Sequence, residues 1–191
     1  MTQYETLLAA DELARAARFR FDHHREQYIA GRGMLRELLG RYLDQSPEAI
    51  KFSYSEYDKP FLPQGELQFN LAHSGGLVLY AFCLDEAVGV DVEVERELED
   101  ALQISERFFS PAERAVLQSL PQEARIPAFF RCWSRKEAFI KAVGEGLSYP
   151  LADFDVTLAP NEPARLLSIR GSNEEARRWS LLSLDLPRGY H

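Results

Sequence analysis

Apolar residues recur at helical spacing through the first forty-odd residues of the chain. Leu13 and Ala16 belong to one such run, and residues 25–43 form a longer stripe with arginine and glutamate on the opposite side. Gly31 and Gly33 lie within this stripe, although glycine costs about 1 kcal/mol relative to alanine inside a helix. The pattern therefore predicts helix through this region. At the glycines it predicts either a break or a close approach of another group to the backbone.

Residues 51–95 change to a pattern that is typical of β-structure. Residues 67–71 predict a short strand, 77–83 form an apolar, β-prone run, and 88–95 alternate strictly between valine and other residues. Only a short Asp-Glu connection separates the last two runs. We therefore expect 77–83 and 88–95 to form a hairpin.

Helical signals return near residue 110. Ser110-Pro-Ala-Glu113 predicts a capping box with proline in the first turn of a helix. The longest helix is predicted over 127–143, beginning near Pro127 and ending at Gly144.

Short β-like runs follow Pro150, over 154–158, 165–169 and 179–186. The order helix, hairpin, helix and strands then occurs about twice, which suggests an internal duplication. We predict an α+β fold of two similar halves, 1–100 and 101–191, each with a small antiparallel sheet and a long helix.

Composition and charge exclude several classes of protein. The chain is 46% hydrophobic and 27% charged, which is typical of a globular domain. Its formal net charge of -8 argues against general nucleic-acid binding. No apolar run approaches the roughly 18 residues of a transmembrane helix, and the acidic start does not resemble a signal peptide. We expect a cytoplasmic protein that binds neither nucleic acid nor membrane.

The alternating segment 88–95 carries acidic side chains at every second position. In a strand, its valines would share one buried face, and Asp91 and Glu93 would share the other, about 7 Å apart. One interpretation is the solvated outer face of a half-buried strand. The other is a Mg²⁺ site, because magnesium takes one or two protein carboxylates and completes its shell with water and substrate phosphates.

A second unusual group lies on the predicted long helix. At 100° per residue, Trp133, Lys136, Glu137 and Lys141 fall within one sector of about 140°. One interpretation is a Glu137-to-Lys141 pair that stabilises the helix by about 0.3 kcal/mol. The other is a carboxylate and an ammonium held at the rim of a cleft.

The third group is His73-Ser74-Gly-Gly at the end of a predicted strand. An imidazole, a hydroxyl and free backbone N–H groups can hold phosphate oxygens. The alternative is a plain turn with an exposed histidine. The sequence has no Cys/His metal spacing, P-loop or Gly-x-Ser-x-Gly motif.

Together and in this order, these segments resemble the phosphopantetheinyl transferases, specifically the larger pseudo-dimeric type that activates surfactin synthetase. The matching motifs are FNLAHSGG (69–76), VGVDVEV (88–94), RFFSPAE (107–113), WSRKEAFIKAVGEGL (133–147) and, more weakly, FSYSEYDKP (52–60). Ala72 departs from the pattern, since many members have serine there. Each motif alone is weak, and their shared spacing makes the resemblance specific.

The resemblance implies an activity. Members transfer the 4'-phosphopantetheine arm of coenzyme A to a serine of an apo acyl or peptidyl carrier protein, with Mg²⁺ and release of adenosine 3',5'-bisphosphate. Mn²⁺ is expected to substitute for Mg²⁺ in the reaction. The protein is expected to be a monomer. The family modifies carriers of fatty-acid, polyketide and nonribosomal-peptide synthesis, and these residues do not choose among them.

The resemblance also implies residue roles and places the active site in the cleft between the two halves. Asp91, Glu93 and Glu137 would surround the metal, and Glu137 would take the proton from the carrier serine, directly or through water. Lys141 would stabilise charge on the transferring phosphoryl or leaving group. The remaining coenzyme A contacts would come from Arg32, Arg36, Lys59, His73 and Ser74.

Three other function classes stay open at this point. The first is a catalytically silent module that holds coenzyme A and docks a carrier. The second is a metal-dependent phosphohydrolase that cleaves coenzyme A or a nucleotide without any carrier. A structural protein with solvated acidic strands would bind no coenzyme A at all.

Overall fold

The computed structural model describes residues 3–63 and 65–191, which form two compact units. One unit comprises Met1–Ser53 and Leu62–Gln64, and the other comprises Tyr54–Phe61 and Gly65–His191. The predicted halves, 1–100 and 101–191, are a different division of the chain and stay a prediction, as does a cleft between them. No helix in the described ranges is both long and apolar enough to cross a bilayer.

The first unit is helical. It contains α1 (Ala10–Ala16) and α2 (Asp22–Leu43), with short 3₁₀ turns at Glu5–Leu7 and Pro47–Ala49. α2 runs unbroken through its glycines, and a Cβ on Gly33 would collide with the side chain of Tyr4. At Gly33 the helix therefore does not break, and the prediction that another group approaches the backbone closely is confirmed.

The central hairpin of the second unit differs from the predicted one. β3 (Leu67–Ser74) pairs antiparallel with β4 (Leu77–Leu84), in register from Leu67 opposite Leu84 to Ser74 opposite Leu77. The predicted pairing of 77–83 with 88–95 is wrong. Gly75 and Gly76 both have positive φ, at 54° and 87°, as the tight two-residue turns of β-hairpins require, so β4 folds back onto β3.

The segment 88–95 is not a regular strand, which corrects the second part of that prediction. Around an isolated antiparallel bridge from Val94 to Tyr190, the backbones of Glu93 and His191 exchange hydrogen bonds at 2.8 and 2.9 Å. Its valines are nevertheless buried as the alternation predicted, with Val90 and Val92 packed against β3. At Gly89 the segment lies so close to the following long helix that a Cβ would overlap the backbone of Ala138 and Ala142.

Three helices follow: α3 (Ala101–Phe108), α4 (Pro111–Ser119) and α5 (Gln122–Val143). The capping box at the start of α4 is confirmed, since Ser110 and Glu113 exchange both hydrogen bonds. α5 ends at Gly144 as predicted but begins earlier, after Pro121, so that Pro127 lies inside the helix. A proline there costs one backbone hydrogen bond, which burial of the neighbouring phenylalanines offsets.

The remaining elements complete small antiparallel sheets. β1 (Ser53–Tyr54) pairs with β2 (Pro60–Phe61), and β5 (Phe154–Val156) pairs with β6 (Leu166–Ile169), before α6 (Asn173–Ala176). The predicted strand over 179–186 is wrong, because the structure gives that segment no strand hydrogen bonding. The predicted α+β class, with small antiparallel sheets and long helices, is confirmed.

Candidate active site

Polar side chains of β3 fix the position of the acidic segment. Asn70, which is buried, accepts a hydrogen bond from the backbone N–H of Val90 at 2.9 Å. Ser74 accepts one from the backbone N–H of Val94 at 3.1 Å. These two side-chain bonds attach the segment to β3 at Val90 and Val94, on either side of Asp91.

Asp91 lies between these anchors and forms an ion pair with Lys141 of α5. The Lys141 Nζ is 2.6 Å from the Asp91 Oδ1, and the Asp91 side chain is 5% exposed while that of Lys141 is 29% exposed. The second carboxylate oxygen, Oδ2, is buried without a hydrogen-bond partner. Burial raises the pKa of Asp91, and the charges of Lys141 and His73 oppose the rise.

Glu93 and Glu137 share the electrostatic field of Asp91. The Ser74 hydroxyl donates to the Glu93 Oε2 at 3.2 Å. Burial and then the charge of Asp91 raise the pKa of Glu93. Burial, Asp91 and Glu93 raise the pKa of Glu137, and Lys141 opposes them. The charge of Asp91 therefore disfavours ionisation of both glutamates, and the charge of Glu93 disfavours that of Glu137.

These carboxylates do not form a ready-made metal cluster. Within residues 3–63 and 65–191, no group of three or more histidine, cysteine, aspartate or glutamate side chains is arranged to hold an ion. Lys141 instead neutralises Asp91. A divalent cation would nonetheless stabilise a buried carboxylate oxygen without a partner and two glutamates whose pKa is raised by burial and by the charge of Asp91. The residues present fit such an ion.

His73 and Ser74 end β3 beside the Gly75-Gly76 turn. The His73 side chain is exposed, and its charge is one of those that act on Asp91. Ser74 is already bonded to the acidic segment through Glu93 and Val94. The structure thus brings together His73, Ser74 and the acids that the sequence singled out separately.

Lys59 lies in a short turn between β1 and β2, and its ammonium meets α5. The Nζ donates to the carbonyl oxygens of Lys141 at 2.5 Å and Ala142 at 3.2 Å. Burial lowers the pKa of Lys59. A cavity of about 200 Å³ lies beside it, with a wall that includes Tyr57, Pro60, Leu71 and Ile140.

Arg32 and Arg36 belong to the helical unit and are buried there. Their Nε atoms bond the two oxygens of Glu12, at 2.6 Å and 2.7 Å respectively. Arg36 also donates to the carbonyls of Pro47 and Ile50. The structure gives both guanidinium groups internal partners, and their expected contact with coenzyme A stays a prediction.

Two functional-site features were missed from the sequence. Asn70 was visible only as a polar residue inside an apolar strand, and its partner is twenty residues away. Lys136 falls in the same helical sector as Glu137, but it is fully buried. Its Nζ bonds Glu113 at 2.8 Å and the carbonyls of Leu151 and Phe154. The capping-box glutamate was the only signal of that pair.

Comparisons with known proteins place both parts of the chain in known families. Residues 87–191 match the family described as the 4'-phosphopantetheinyl transferase superfamily. Residues 1–84 match a second family, described as 4'-phosphopantetheinyl transferase, N-terminal.

Curated relatives extend over most of the chain. It is 42% identical over 181 residues to the 4'-phosphopantetheinyl transferase HetI of Nostoc sp. PCC 7120, covering 93% of this chain and 73% of that protein. It is 36% identical over 166 residues to the 4'-phosphopantetheinyl transferase psf-1 of Bacillus pumilus, covering 86% and 70%. It is 31% identical over 157 residues to the 4'-phosphopantetheinyl transferase Sfp of Bacillus subtilis, covering 82% and 69%. The resemblance noted in the motifs is therefore confirmed, and the chain belongs to the 4'-phosphopantetheinyl transferase superfamily.

Proposed function

We propose that the protein transfers the 4'-phosphopantetheine arm of coenzyme A to a serine of an apo acyl or peptidyl carrier protein, releasing adenosine 3',5'-bisphosphate. Membership in the superfamily supports the transfer. The observation that carries the proposal is the 2.6 Å ion pair between Lys141 and the buried Asp91, whose charge also acts on Glu93 and Glu137. Phosphoryl transfer needs such positioned charges more than it needs a covalent intermediate.

The acidic residues are assigned to a divalent cation. Asp91, Glu93 and Glu137 would hold Mg²⁺, or Mn²⁺ in its place, and the unpartnered Asp91 Oδ2 supports this assignment. Bound there, the ion would neutralise negative charge on the pyrophosphate of coenzyme A.

Glu137 is the candidate general base. The serine oxygen of the carrier attacks the phosphorus attached to pantetheine, and the serine proton passes to the Glu137 carboxylate, directly or through water. The bond from this phosphorus to the bridging oxygen breaks, and its electron pair leaves with the adenosine bisphosphate. Burial and neighbouring charges raise the pKa of Glu137, which brings a carboxylate nearer the basicity that proton abstraction requires.

Lys141 is assigned to the charge that develops on the leaving group. Its ammonium is partly exposed and is held by a single carboxylate oxygen. An ammonium in this position can stabilise a phosphate oxygen without a large movement.

His73 and Ser74 are assigned to the phosphates of coenzyme A. The exposed imidazole and the neighbouring turn support this role. By resemblance alone, Lys59 is assigned to the nucleotide end of coenzyme A, and Arg32 and Arg36 are assigned to coenzyme A contacts. A monomer in the cytoplasm that binds neither nucleic acid nor membrane stays a prediction.

The experiment is mass spectrometry of apo carriers from fatty-acid, polyketide and peptide synthesis, each incubated with the protein, coenzyme A and Mg²⁺. A gain of one phosphopantetheine on the carrier serine supports the proposal, and a serine-to-alanine carrier is the control. Coenzyme A cleavage without a carrier would indicate a phosphohydrolase. Binding of coenzyme A without transfer to any carrier would indicate a silent binding module.

A further inference from the structure

Lys59 occupies the C-terminal end of α5. The carbonyls of the last helical turn have no partner within a helix, and a cation at that end also interacts favourably with the helix dipole. The Lys59 ammonium bonds two of these carbonyls, those of Lys141 and Ala142. A side chain from more than eighty residues away thus caps the helix that carries Glu137 and Lys141.

A tight turn over residues 55–59 positions the Lys59 side chain at the end of α5. The Ser55 N–H donates to the Lys59 carbonyl at 2.9 Å, and the Ser55 hydroxyl accepts from the N–H groups of Tyr57 at 3.3 Å and Lys59 at 3.2 Å. Asp58 adopts a left-handed backbone conformation with φ of 59° to complete the turn. Hydrogen bonds within the turn therefore hold the backbone of Lys59 independently of the contact between its side chain and α5.

The end of α5 is shaped to receive the lysine stem. Gly144 has φ of 89° and donates its N–H to the Ile140 carbonyl at 2.8 Å. A Cβ on Gly144 would lie 3.5 Å from the Lys59 Cδ. The aliphatic part of Lys59 therefore packs over this glycine, and the ammonium of this half-buried side chain donates to the two carbonyls.

Lys141 is consequently held at two points. Its side chain contacts Asp91, and its carbonyl oxygen contacts Lys59. We infer that Lys59 is a positioning residue for the reaction: it fixes the last turn of α5 and thereby directs the Lys141 ammonium. This inference rests on the proposed function. It differs from the role given by resemblance, in which Lys59 contacts the nucleotide.

The two roles predict different kinetics. A nucleotide contact predicts that Lys59→Met raises KM for coenzyme A with little change in kcat. A positioning residue predicts that kcat falls roughly tenfold, because a small displacement of a catalytic group is costly, while KM and the Kd of adenosine 3',5'-bisphosphate stay within about threefold. Lys59→Arg should recover part of kcat, since it retains a cation that can donate to the carbonyls. Lys51→Met, which removes an exposed lysine, is the matched control.

A double-mutant cycle separates positioning from a general structural role. If Lys59 acts through Lys141, Lys59→Met should lower kcat in the parent and have little further effect in Lys141→Met. Multiplicative losses, or a raised KM with unchanged kcat, would overturn the inference. Lys59→Gln replaces Lys59→Met in the cycle if the latter does not fold.

Hydrogen exchange gives a readout that does not depend on transfer. The amides of residues 140–146 should exchange faster in Lys59→Met than in the parent, while those of β3 should not change. Unchanged exchange at 140–146 would also overturn the inference. If the parent modifies no carrier but exchange at 140–146 responds as expected, the proposed function fails while the cap itself stands.

Discussion

Asp91 and Lys141 form a 2.6 Å ion pair in which the carboxylate is almost fully buried and the ammonium remains partly exposed. The asymmetry has a chemical consequence. Asp91 keeps one buried oxygen without a partner, so its carboxylate can accept a second positive charge. Lys141 keeps an accessible ammonium, so it can contact an anion from solvent. The pair therefore places a carboxylate that can bind a cation next to an ammonium that can bind a phosphate, and phosphoryl transfer uses both.

Removal of the Lys141 charge should reduce transfer more than binding. Lys141→Met is expected to lower kcat roughly 10- to 100-fold, because a preorganised charge near the leaving group is lost. Lys141→Arg should recover part of the activity, since the positive charge returns with different geometry. The measurement is carrier modification under coenzyme A saturation, with thermal melts as folding controls. Equal kcat values for Lys141→Met and the parent would contradict the assignment.

Transfer should require a divalent cation held by the acidic segment. EDTA is expected to abolish activity, and Mg²⁺ or Mn²⁺ should restore it. Asp91→Asn should weaken Mn²⁺ binding, measured by electron paramagnetic resonance of the free ion, because the amide lacks the charge that attracts the cation. Glu86→Gln, at an exposed acid, serves as the control. Full activity in excess chelator would remove the metal assignment.

His73 should influence affinity for coenzyme A more than the chemical step. The side chain is exposed at the end of β3, and its proposed contact is with a phosphate that does not react. His73→Ala is therefore expected to raise KM for coenzyme A several-fold with a smaller change in kcat. His23→Ala, at an exposed histidine of α2, should leave both constants unchanged. Equal losses in kcat and kcat/KM for His73→Ala would instead place His73 at the transition state.

Local signals in the sequence predicted helix ends better than strand partners. The capping box of Ser110 and Glu113 and the stop at Gly144 depend on residues close to one another along the chain, and both are as predicted. Strand pairing depends on distant residues. The connection after β4 looked short enough for a hairpin with 88–95, whereas the Gly75-Gly76 turn, with its two positive φ values, determines the pairing.

The candidate site shows the same division. Asp91, Glu137 and Lys141 were identified because acids and lysines are unusual on otherwise apolar segments, and the structure places them together. The partner of each side chain could not be predicted. A helical sector gives the direction of a side chain around the helix axis, but it does not say which residue of another element lies there. Lys136 shares a sector with Glu137 yet is buried against Glu113.

Loss of one partner from the buried pair of Glu113 and Lys136 should destabilise the protein more than replacement of both partners. Lys136→Met leaves the Glu113 carboxylate buried without its cation and is expected to cost about 3–5 kcal/mol of unfolding free energy. The double variant Glu113→Gln/Lys136→Met should be more stable than Lys136→Met, because the unpaired charge is gone while an amide oxygen can still accept from the Val156 N–H. Urea unfolding measures both. Additive losses would contradict this account.

Glu137→Gln should lose activity and gain stability, and the gain should depend on pH. The amide keeps the shape of the side chain but cannot accept the serine proton or contribute charge to a cation. We expect kcat to fall roughly 100-fold or more, as for removal of a positioned base. Glu145→Gln, at an exposed glutamate beyond α5, is the matched control. A folded Glu137→Gln variant that transfers within about threefold of the parent would contradict the assignment of the base.

The stability of the same variant tests the electrostatics independently. Burial and the charges of Asp91 and Glu93 raise the pKa of Glu137 above its ordinary value of 4.5. A carboxyl group with a raised folded-state pKa gives its full contribution to stability below the unfolded pKa, and that contribution is lost as pH rises through the folded pKa. Glutamine does not ionise, so its contribution to stability does not change with pH. In chelator, Glu137→Gln should therefore melt above the parent at about pH 7.5, and the difference should shrink as pH falls toward about 4.5. A melting difference that does not change with pH would contradict the raised pKa of Glu137, to which burial contributes most and the charges of Asp91 and Glu93 contribute further.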